Sequence, residues 1–90
     1  MMKDKDLERQ LKALANRRRL AILKYLKRKG KASVGSIAEE IKLSFKSTSR
    51  HLSILTQADI LEKEQANVMV FYSLSSEKQP LIIKLLDILS

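Results

Sequence analysis

The 90-residue chain contains no cysteine and no tryptophan, and it has only two glycines, one proline and 4% aromatic residues. The lack of cysteine excludes disulfides, thiolate metal sites and thiol redox chemistry. Hydrophobic residues nevertheless make up 44% of the chain, so the core must consist mainly of Leu, Ile, Val and Ala. This composition favours helices that pack through aliphatic side chains.

Long apolar runs are also missing from the chain. None approaches the ~18 residues that span a bilayer, and the N-terminal MMKDKDLERQ lacks the apolar segment of a signal peptide. We therefore expect a cytoplasmic protein that does not contact a membrane. The length predicts a single domain, residues 1–90, whose core is too small to enclose an active site.

Positive charge is abundant and unevenly distributed. The formal net charge is +8, and from Arg9 to Arg50 thirteen basic residues face two acidic ones, whereas the rest of the chain has five basic and eight acidic residues. A regional excess of this kind favours a polyanionic partner such as nucleic acid. The alternative is a basic surface that only keeps a small protein in solution.

Apolar periodicity predicts four helices in the first two thirds of the chain. Asn16, Ser33 and Ser44 are good N-cap residues for the second, third and fourth. The third and fourth helices are separated by a short turn, which is the helix-turn-helix pattern, here at about residues 33–58. The predicted helices span about residues 4–15, 17–29, 34–41 and 45–58.

The remaining third of the chain predicts a hairpin and a last helix. Residues 60–65 and 68–74 have the composition of two strands joined by Ala66-Asn67, so the hairpin, or wing, covers about residues 60–74. A helix at about residues 76–89 follows, in which Pro80 is tolerable only within the first turn. This last helix carries more apolar residues than one core-facing stripe requires.

Three stretches in this order carry a resemblance to a known family: LKALANRRRLAILKYL, SVGSIAEEIKLSFKSTSRHLSIL and ADILEKEQANVMVFYSL. From Leu11 to Leu74 the chain resembles the ArsR family of winged-helix repressors. The resemblance implies a mainly α winged helix-turn-helix fold of order α-α-α-α-β-β-α. It also implies a homodimer formed by the first and last helices, for which the candidate interface residues are Leu7, Leu11, Leu81, Ile82, Leu85, Leu86 and Leu89.

The fourth helix has a polar face suited to reading DNA. If Thr48 and Leu52 point inward, the opposite face presents Lys46, Ser49, Arg50 and Ser53, which are all hydrogen-bond donors. Ser44 and Ser47 in the first turn add to this candidate site, because a helix N-terminus binds phosphate. Weaker candidates for contacts with the DNA backbone, from the wing or elsewhere, are Arg17, Arg18, Arg19, Lys42, His51, Lys63, Gln65 and Asn67.

Several of these residues are unusual for their positions. Three arginines at 17–19 occupy a helix start, where the helix dipole disfavours cations, so they either contact phosphate or form a solvated charge run. Lys42 stands where the family usually has glycine, and a positive φ there costs on the order of 1 kcal/mol. Phe45 either packs on the previous helix or contacts a thymine methyl group. The hydroxyl of Thr48 can bond back to the preceding turn.

No metal, cofactor or catalytic site is expected. Many ArsR-type proteins sense metals through cysteines in the region matching residues 31–36 or through Asp and His ligands on the last helix, and this chain has neither set. The expected partners are double-stranded DNA and a second copy of the chain. A non-specific or architectural nucleic-acid binder and a winged-helix protein-interaction module remain the alternatives to a sequence-specific regulator.

Overall fold

The computed structural model describes residues 3–77 and 80–89. In this part of the chain five helices and three strands follow one another, with the helix-turn-helix and the hairpin where the sequence predicts them. The elements are α1 (Asp4–Leu14), α2 (Arg17–Lys29), β1 (Lys31–Ser33), α3 (Val34–Ile41), α4 (Phe45–Gln57), β2 (Leu61–Ala66), β3 (Met69–Leu74) and α5 (Pro80–Leu89).

Side-chain caps start three of the helices at the predicted residues. Asn16 Oδ1 accepts a hydrogen bond from the Arg19 amide at 3.1 Å, and the Ser33 and Ser44 hydroxyls accept from amides three residues on at 3.2 and 3.1 Å. Each cap satisfies an amide that has no acceptor within its own helix. The three predicted N-caps are therefore confirmed.

Helix α2 is the centre of the core, since it contacts each of the four other helices as well as β1 and β3. Ile22, Leu23 and Leu26 on this helix are fully buried. Burial of each such side chain contributes roughly 1.5–3 kcal/mol. Fully buried or nearly buried residues of α3, α4, the start of the wing and α5 complete the core: Ile37, Leu52, Leu55, Ile60 and Ile82.

The turn between α3 and α4 confirms that Lys42 is a strained position. Lys42 has φ 56° and ψ 53°, which is left-handed backbone. Its amide donates to the Glu39 carbonyl at 3.4 Å, and the Leu43 amide donates to the Ala38 carbonyl at 3.0 Å. This is the Schellman arrangement, in which glycine is usual because it has no Cβ.

Strand β1 is an addition to the predicted order. It pairs antiparallel with β3, with Ala32 opposite Tyr72, and the sheet order is β1-β3-β2. Three residues of the sequence Lys-Ala-Ser have little β propensity, so no local pattern predicts a strand. The pairing depends on β3, which lies some forty residues further along the chain and offers it a free edge.

Helix α5 begins at Pro80, later than the predicted start at residue 76. Proline occupies the first helical position, where its missing N–H costs nothing. Residues 76 and 77 are in a bend, and residues 78 and 79 of the predicted helix lie outside the described residues. Lys27 Nζ donates to the Leu86 carbonyl at 2.7 Å, which joins the last turn of α5 to α2.

Candidate nucleic-acid interface

Helix α4 presents a polar, cationic face to solvent, as its sequence predicts. Thr48, Leu52 and Leu55 are fully buried. On the opposite side Lys46, Arg50 and Ser53 are exposed and Ser49 is half-buried. Among the described residues no carboxylate pairs with Lys46 or Arg50, although five ion pairs form elsewhere. Both cations are therefore available to an anionic partner.

The first turn of α4 adds donors to this face. Ser44 is exposed, and its hydroxyl caps the half-buried Ser47 through the Ser47 amide. The amides of Phe45 and Lys46, the first two of the helix, have no acceptor within the helix. They point out of the helix start, where the dipole favours an anion. A phosphate at this point would be held by these amides, and the Ser44 hydroxyl, which accepts from the Ser47 amide, still has its hydrogen to donate.

The three arginines at the start of α2 separate into two groups. Arg17 and Arg18 are exposed. Arg19 is half-buried, and its guanidinium donates from Nε to the Ala13 carbonyl and from Nη2 to the Lys12 carbonyl at 3.3 Å. These carbonyls belong to the last turn of α1, the negative end of that helix dipole. Arg19 therefore binds its own chain, and phosphate contact by the three arginines stays a prediction, for which the exposed Arg17 and Arg18 are the better placed.

His51 lies on α4, the reading helix of the helix-turn-helix, and contacts this arginine group. Arg19 Nη1 lies 3.2 Å from His51 Nδ1, and because a guanidinium can only donate, Nδ1 accepts and the proton of the neutral ring is on Nε2. Burial lowers the pKa of His51 below its ordinary value, and the positive charges of Arg19, Arg18 and Arg50 lower it further. His51 is therefore held as a neutral ring among three cations.

The wing carries the other predicted contacts. Lys63 and Gln65 on β2 are exposed, and Asn67 at the tip has φ 59°, a positive value that asparagine adopts more readily than most residues. Gln65 Nε2 donates to the Asn67 carbonyl at 3.4 Å. Glu64 pairs with Lys31 at 3.7 Å, so this acidic residue is partly neutralised and Lys63 remains the free wing cation among the described residues.

Sequence reasoning considered Phe45 on this side of the molecule but missed the exposed apolar residues Val68 and Met69 of the wing. Phe45, Val68 and Met69 are large apolar side chains with 63%, 92% and 46% of their surfaces exposed. Together with Val34, Val70 and Lys63 they border a groove of about 490 Å³ between α4 and the wing. The signal for Val68 and Met69 was an apolar pair directly after the turn residue Asn67, where hairpin loops usually have polar residues or glycine.

The candidate dimer surface is also revised. Ile82 and Leu86 are buried in the chain's own core, and Leu85 and Leu89 pack against it. Residues 82, 85, 86 and 89 form an i, i+3, i+4, i+7 stripe, which is the face that α5 turns towards α2. The prediction that Ile82 and Leu86 form an intermolecular contact is therefore corrected. Leu81 is half-buried, and the exposed apolar residues of α1 and α5 are Leu7, Leu11, Ile83 and Ile88.

Comparison with known proteins identifies the family of this chain. A family model described as "Bacterial regulatory protein, arsR family" matches residues 16–63, which is more than half of the chain. The matched region runs from the N-cap of α2 through the reading helix into the wing. The chain belongs to the ArsR family. It is a DNA-binding transcriptional regulator with a winged helix-turn-helix fold.

Individual relatives agree with this assignment. The ArsR-family chain is 34% identical over 71 residues to the arsenical resistance operon repressor of Bacillus subtilis, covering 79% of this chain and 68% of the repressor. Its structure is similar to that of HlyU from Vibrio cholerae, with a TM-score of 0.81, 36% identity, and coverage of 99% of this chain and 97% of HlyU. HlyU carries the name transcriptional activator.

A third similar structure is the homodimeric winged helix-turn-helix DNA-binding domain of Mb0332 from Mycobacterium bovis. The TM-score is 0.81 at 26% identity, and the alignment covers 98% of this chain and 83% of that domain. Within residues 3–77 and 80–89, this ArsR-family chain has no group of three or more His, Cys, Asp and Glu side chains able to hold a metal ion. No helix in the same ranges is long and apolar enough to cross a bilayer.

Proposed function

We propose that this protein is a homodimeric repressor that binds a palindromic operator and blocks access to a promoter. The observation that carries the proposal is the exposed face of α4, where Lys46 and Arg50 have no carboxylate partner within residues 3–77 and 80–89. The guanidinium of Arg50 has the fork geometry that recognises guanine O6 and N7 in the major groove. Lys46 lies one turn before Arg50 and has the reach for a base or a phosphate.

Contacts with the DNA backbone complete the proposed mode of binding. The free amides at the start of α4 and the exposed Arg17 and Arg18 supply phosphate contacts, which fix the register of the protein on the duplex. Lys63 and Asn67 on the wing extend the contact to the neighbouring backbone or minor groove. Base contacts from α4 then select the sequence within that register.

The homodimer is proposed from exposed apolar surface on the two terminal helices. Leu11 on α1 and Ile88 on α5 have 49% and 78% of their surfaces exposed, and Leu7 and Ile83 add 36% and 46%. A second copy of the chain is the simplest partner for these residues, and the similar Mb0332 domain is named as homodimeric. A two-fold axis would place two reading helices on half-sites about 10 bp, or a multiple of that, apart.

The switch that controls this repressor is proposed to be something other than a transition metal. The chain has no cysteine and a single histidine, and that histidine lies among arginines, an environment that repels cations. We also propose that the protein has no catalytic activity and acts in the cytoplasm, where the chromosomal DNA is. Unchanged DNA affinity after treatment with a chelator, and after addition of zinc, is the expected result.

The test of sequence-specific binding is selection from random duplex DNA followed by affinity measurements on the selected and scrambled duplexes. Arg50→Ala should lose ~1–3 kcal/mol of binding free energy on the selected duplex and far less on the scrambled one. Arg28→Ala is the matched control, because Arg28 pairs with Glu40 at 3.3 Å and lies over the Tyr25 ring. Equal losses on both duplexes, with a steep salt slope, would instead identify a non-specific binder.

The test of the dimer is sedimentation equilibrium at tens of micromolar protein. The wild-type chain should sediment as a dimer, and Leu11→Glu should shift it towards monomer because two carboxylates would be buried near the symmetry axis. Val68→Glu introduces the same charge at the exposed wing tip and should leave the mass unchanged. A wild-type monomer at these concentrations would contradict the proposal.

A further inference from the structure

The groove between the reading helix and the wing is apolar at a place where solvent would favour polar groups. Phe45 forms one side of it, with 63% of its surface exposed, and Val68 and Met69 form part of the other. Such exposure means that Phe45 is not packed into the previous helix, which was one of the two interpretations of this residue. Exposed apolar surface next to a binding face indicates a contact made in the complex.

Phe45 lies at the border between the buried face of α4 and its polar face. At about 100° per residue, Phe45, Ser49, Ser53, Lys46 and Arg50 fall within an arc of about 140°, with Phe45 at one edge and Arg50 at the other. Phe45 is also the first residue of the helix. Residues in the first turn of a reading helix are those that approach base edges in the major groove.

The charges around the groove favour DNA as its occupant. Of the described residues that line it, one is charged, and this is Lys63 on the wing. Lys46 follows Phe45 in the chain and is exposed beside it. No carboxylate among the lining residues would repel a phosphate backbone, so the surface is apolar in the middle and cationic at its edges. This pattern fits DNA, in which apolar groups on the bases lie between two negatively charged backbones.

We propose that Phe45 is a specificity-determining residue that contacts the C5-methyl group of a thymine in each operator half-site. The phenyl ring has no hydrogen-bond donor or acceptor, so it cannot distinguish bases by their polar edges. The thymine methyl group is the one apolar feature that base edges present in the major groove, and phenylalanine is among the residues that contact it. This inference rests on the proposed function, because it assigns a base to the same reading helix.

The test removes only the methyl group. In the duplex obtained by selection, each thymine is replaced in turn by deoxyuridine, and affinities are measured at one salt concentration. Loss of one buried methyl group should weaken wild-type binding about fourfold at one thymine per half-site, and about 15-fold when both half-sites are changed. Phe45→Ala should bind more weakly overall and show no further loss at that thymine.

Two variants serve as controls for this experiment. Lys46→Ala should lower affinity on every duplex and keep the fourfold penalty for deoxyuridine, because the phenyl ring is intact. Phe45→Leu keeps an apolar side chain and should keep part of the penalty. Circular dichroism checks that Phe45→Ala folds, which is expected because the side chain lies mostly outside the core.

The outcomes separate this inference from the proposed function. If selection enriches no sequence, the proposal of sequence-specific binding is wrong, and so is the proposed role of Phe45. If a sequence is enriched but wild-type affinity is the same with every thymine replaced, or the selected half-site has no thymine, the role of Phe45 alone is overturned. Persistence of the penalty in Phe45→Ala also overturns it, since another side chain would then contact the methyl group. If Phe45→Ala fails to fold, Phe45→Leu carries the attribution, and an undiminished penalty in that variant would overturn the role of Phe45 in the same way.

Discussion

Replacing Arg19 with alanine tests whether this residue supports the fold rather than binding DNA. The guanidinium donates to two carbonyls of the last turn of α1, those of Lys12 and Ala13. Hydrogen bonds from a charged donor contribute about 1.5 kcal/mol each at the low end of their range, which suits a half-buried group. The two bonds therefore contribute about 3 kcal/mol.

A smaller opposing effect must be subtracted. Arg19 lies in the first turn of α2, where removal of a positive charge recovers roughly 0.3–1 kcal/mol of dipole repulsion. The expected net loss is about 2 kcal/mol, and for a chain of this size it lowers the melting temperature by roughly 8–16 °C. Thermal unfolding followed by circular dichroism measures this, at one protein concentration because a dimer's stability depends on concentration.

Arg18→Ala is the matched control for this prediction. Arg18 is the same residue type in the same helical turn but is exposed. Its removal should change the unfolding free energy by less than about 0.5 kcal/mol, while weakening DNA binding and lowering its salt dependence. Equal melting temperatures for the two variants would refute the assignment of Arg19 to the α1 terminus.

Three further predictions concern single residues. Thr48 is fully buried and its hydroxyl has no hydrogen-bond partner among the described residues, so the bond to the preceding turn is absent. Thr48→Val should therefore raise the unfolding free energy, measured by chemical denaturation, by about 1 kcal/mol. A loss of stability would indicate an unseen partner. Lys42→Gly should stabilise by up to about 1 kcal/mol, since glycine adopts φ 56° without strain, and Lys42→Ala should show no such gain. The pKa of His51 is lowered by burial and by the neighbouring arginines, so the unfolded chain binds the proton more tightly than the folded one. The unfolding free energy should therefore fall as pH drops from 7.5 to 5.5. In a His51→Asn variant the unfolding free energy should depend less on pH, and an unchanged slope would contradict the role of His51.

The helices and their starts follow from local physical chemistry. Asn16, Ser33 and Ser44 each cap a helix because a side-chain oxygen three residues before an unsatisfied amide is a local arrangement. The inward orientation of Leu52 and Leu55 likewise follows from helical spacing. The polar face of α4 was therefore predictable in position and in chemical character.

What the sequence did not predict depends on contacts between different secondary-structure elements. Strand β1 exists because β3 offers it an edge, and Arg19 turns inward because the end of α1 lies beside it. On α5 the apolar residues exceed one stripe, so periodicity alone could not assign Ile82 and Leu86 to the core and Ile83 and Ile88 to the surface. In each case tertiary packing selects among conformations that the local sequence allows equally well.

The short strand β1 has a mechanical consequence for DNA binding. It is hydrogen-bonded to β3 of the wing along one side, and its last residue, Ser33, caps the helix that precedes the reading helix. The wing and the helix-turn-helix are thus joined at two points, through β1 and through the chain that leaves α4. We expect them to move as one rigid unit, so any misfit between the spacing of the two grooves and that of the protein must be absorbed by bending or twisting of the DNA.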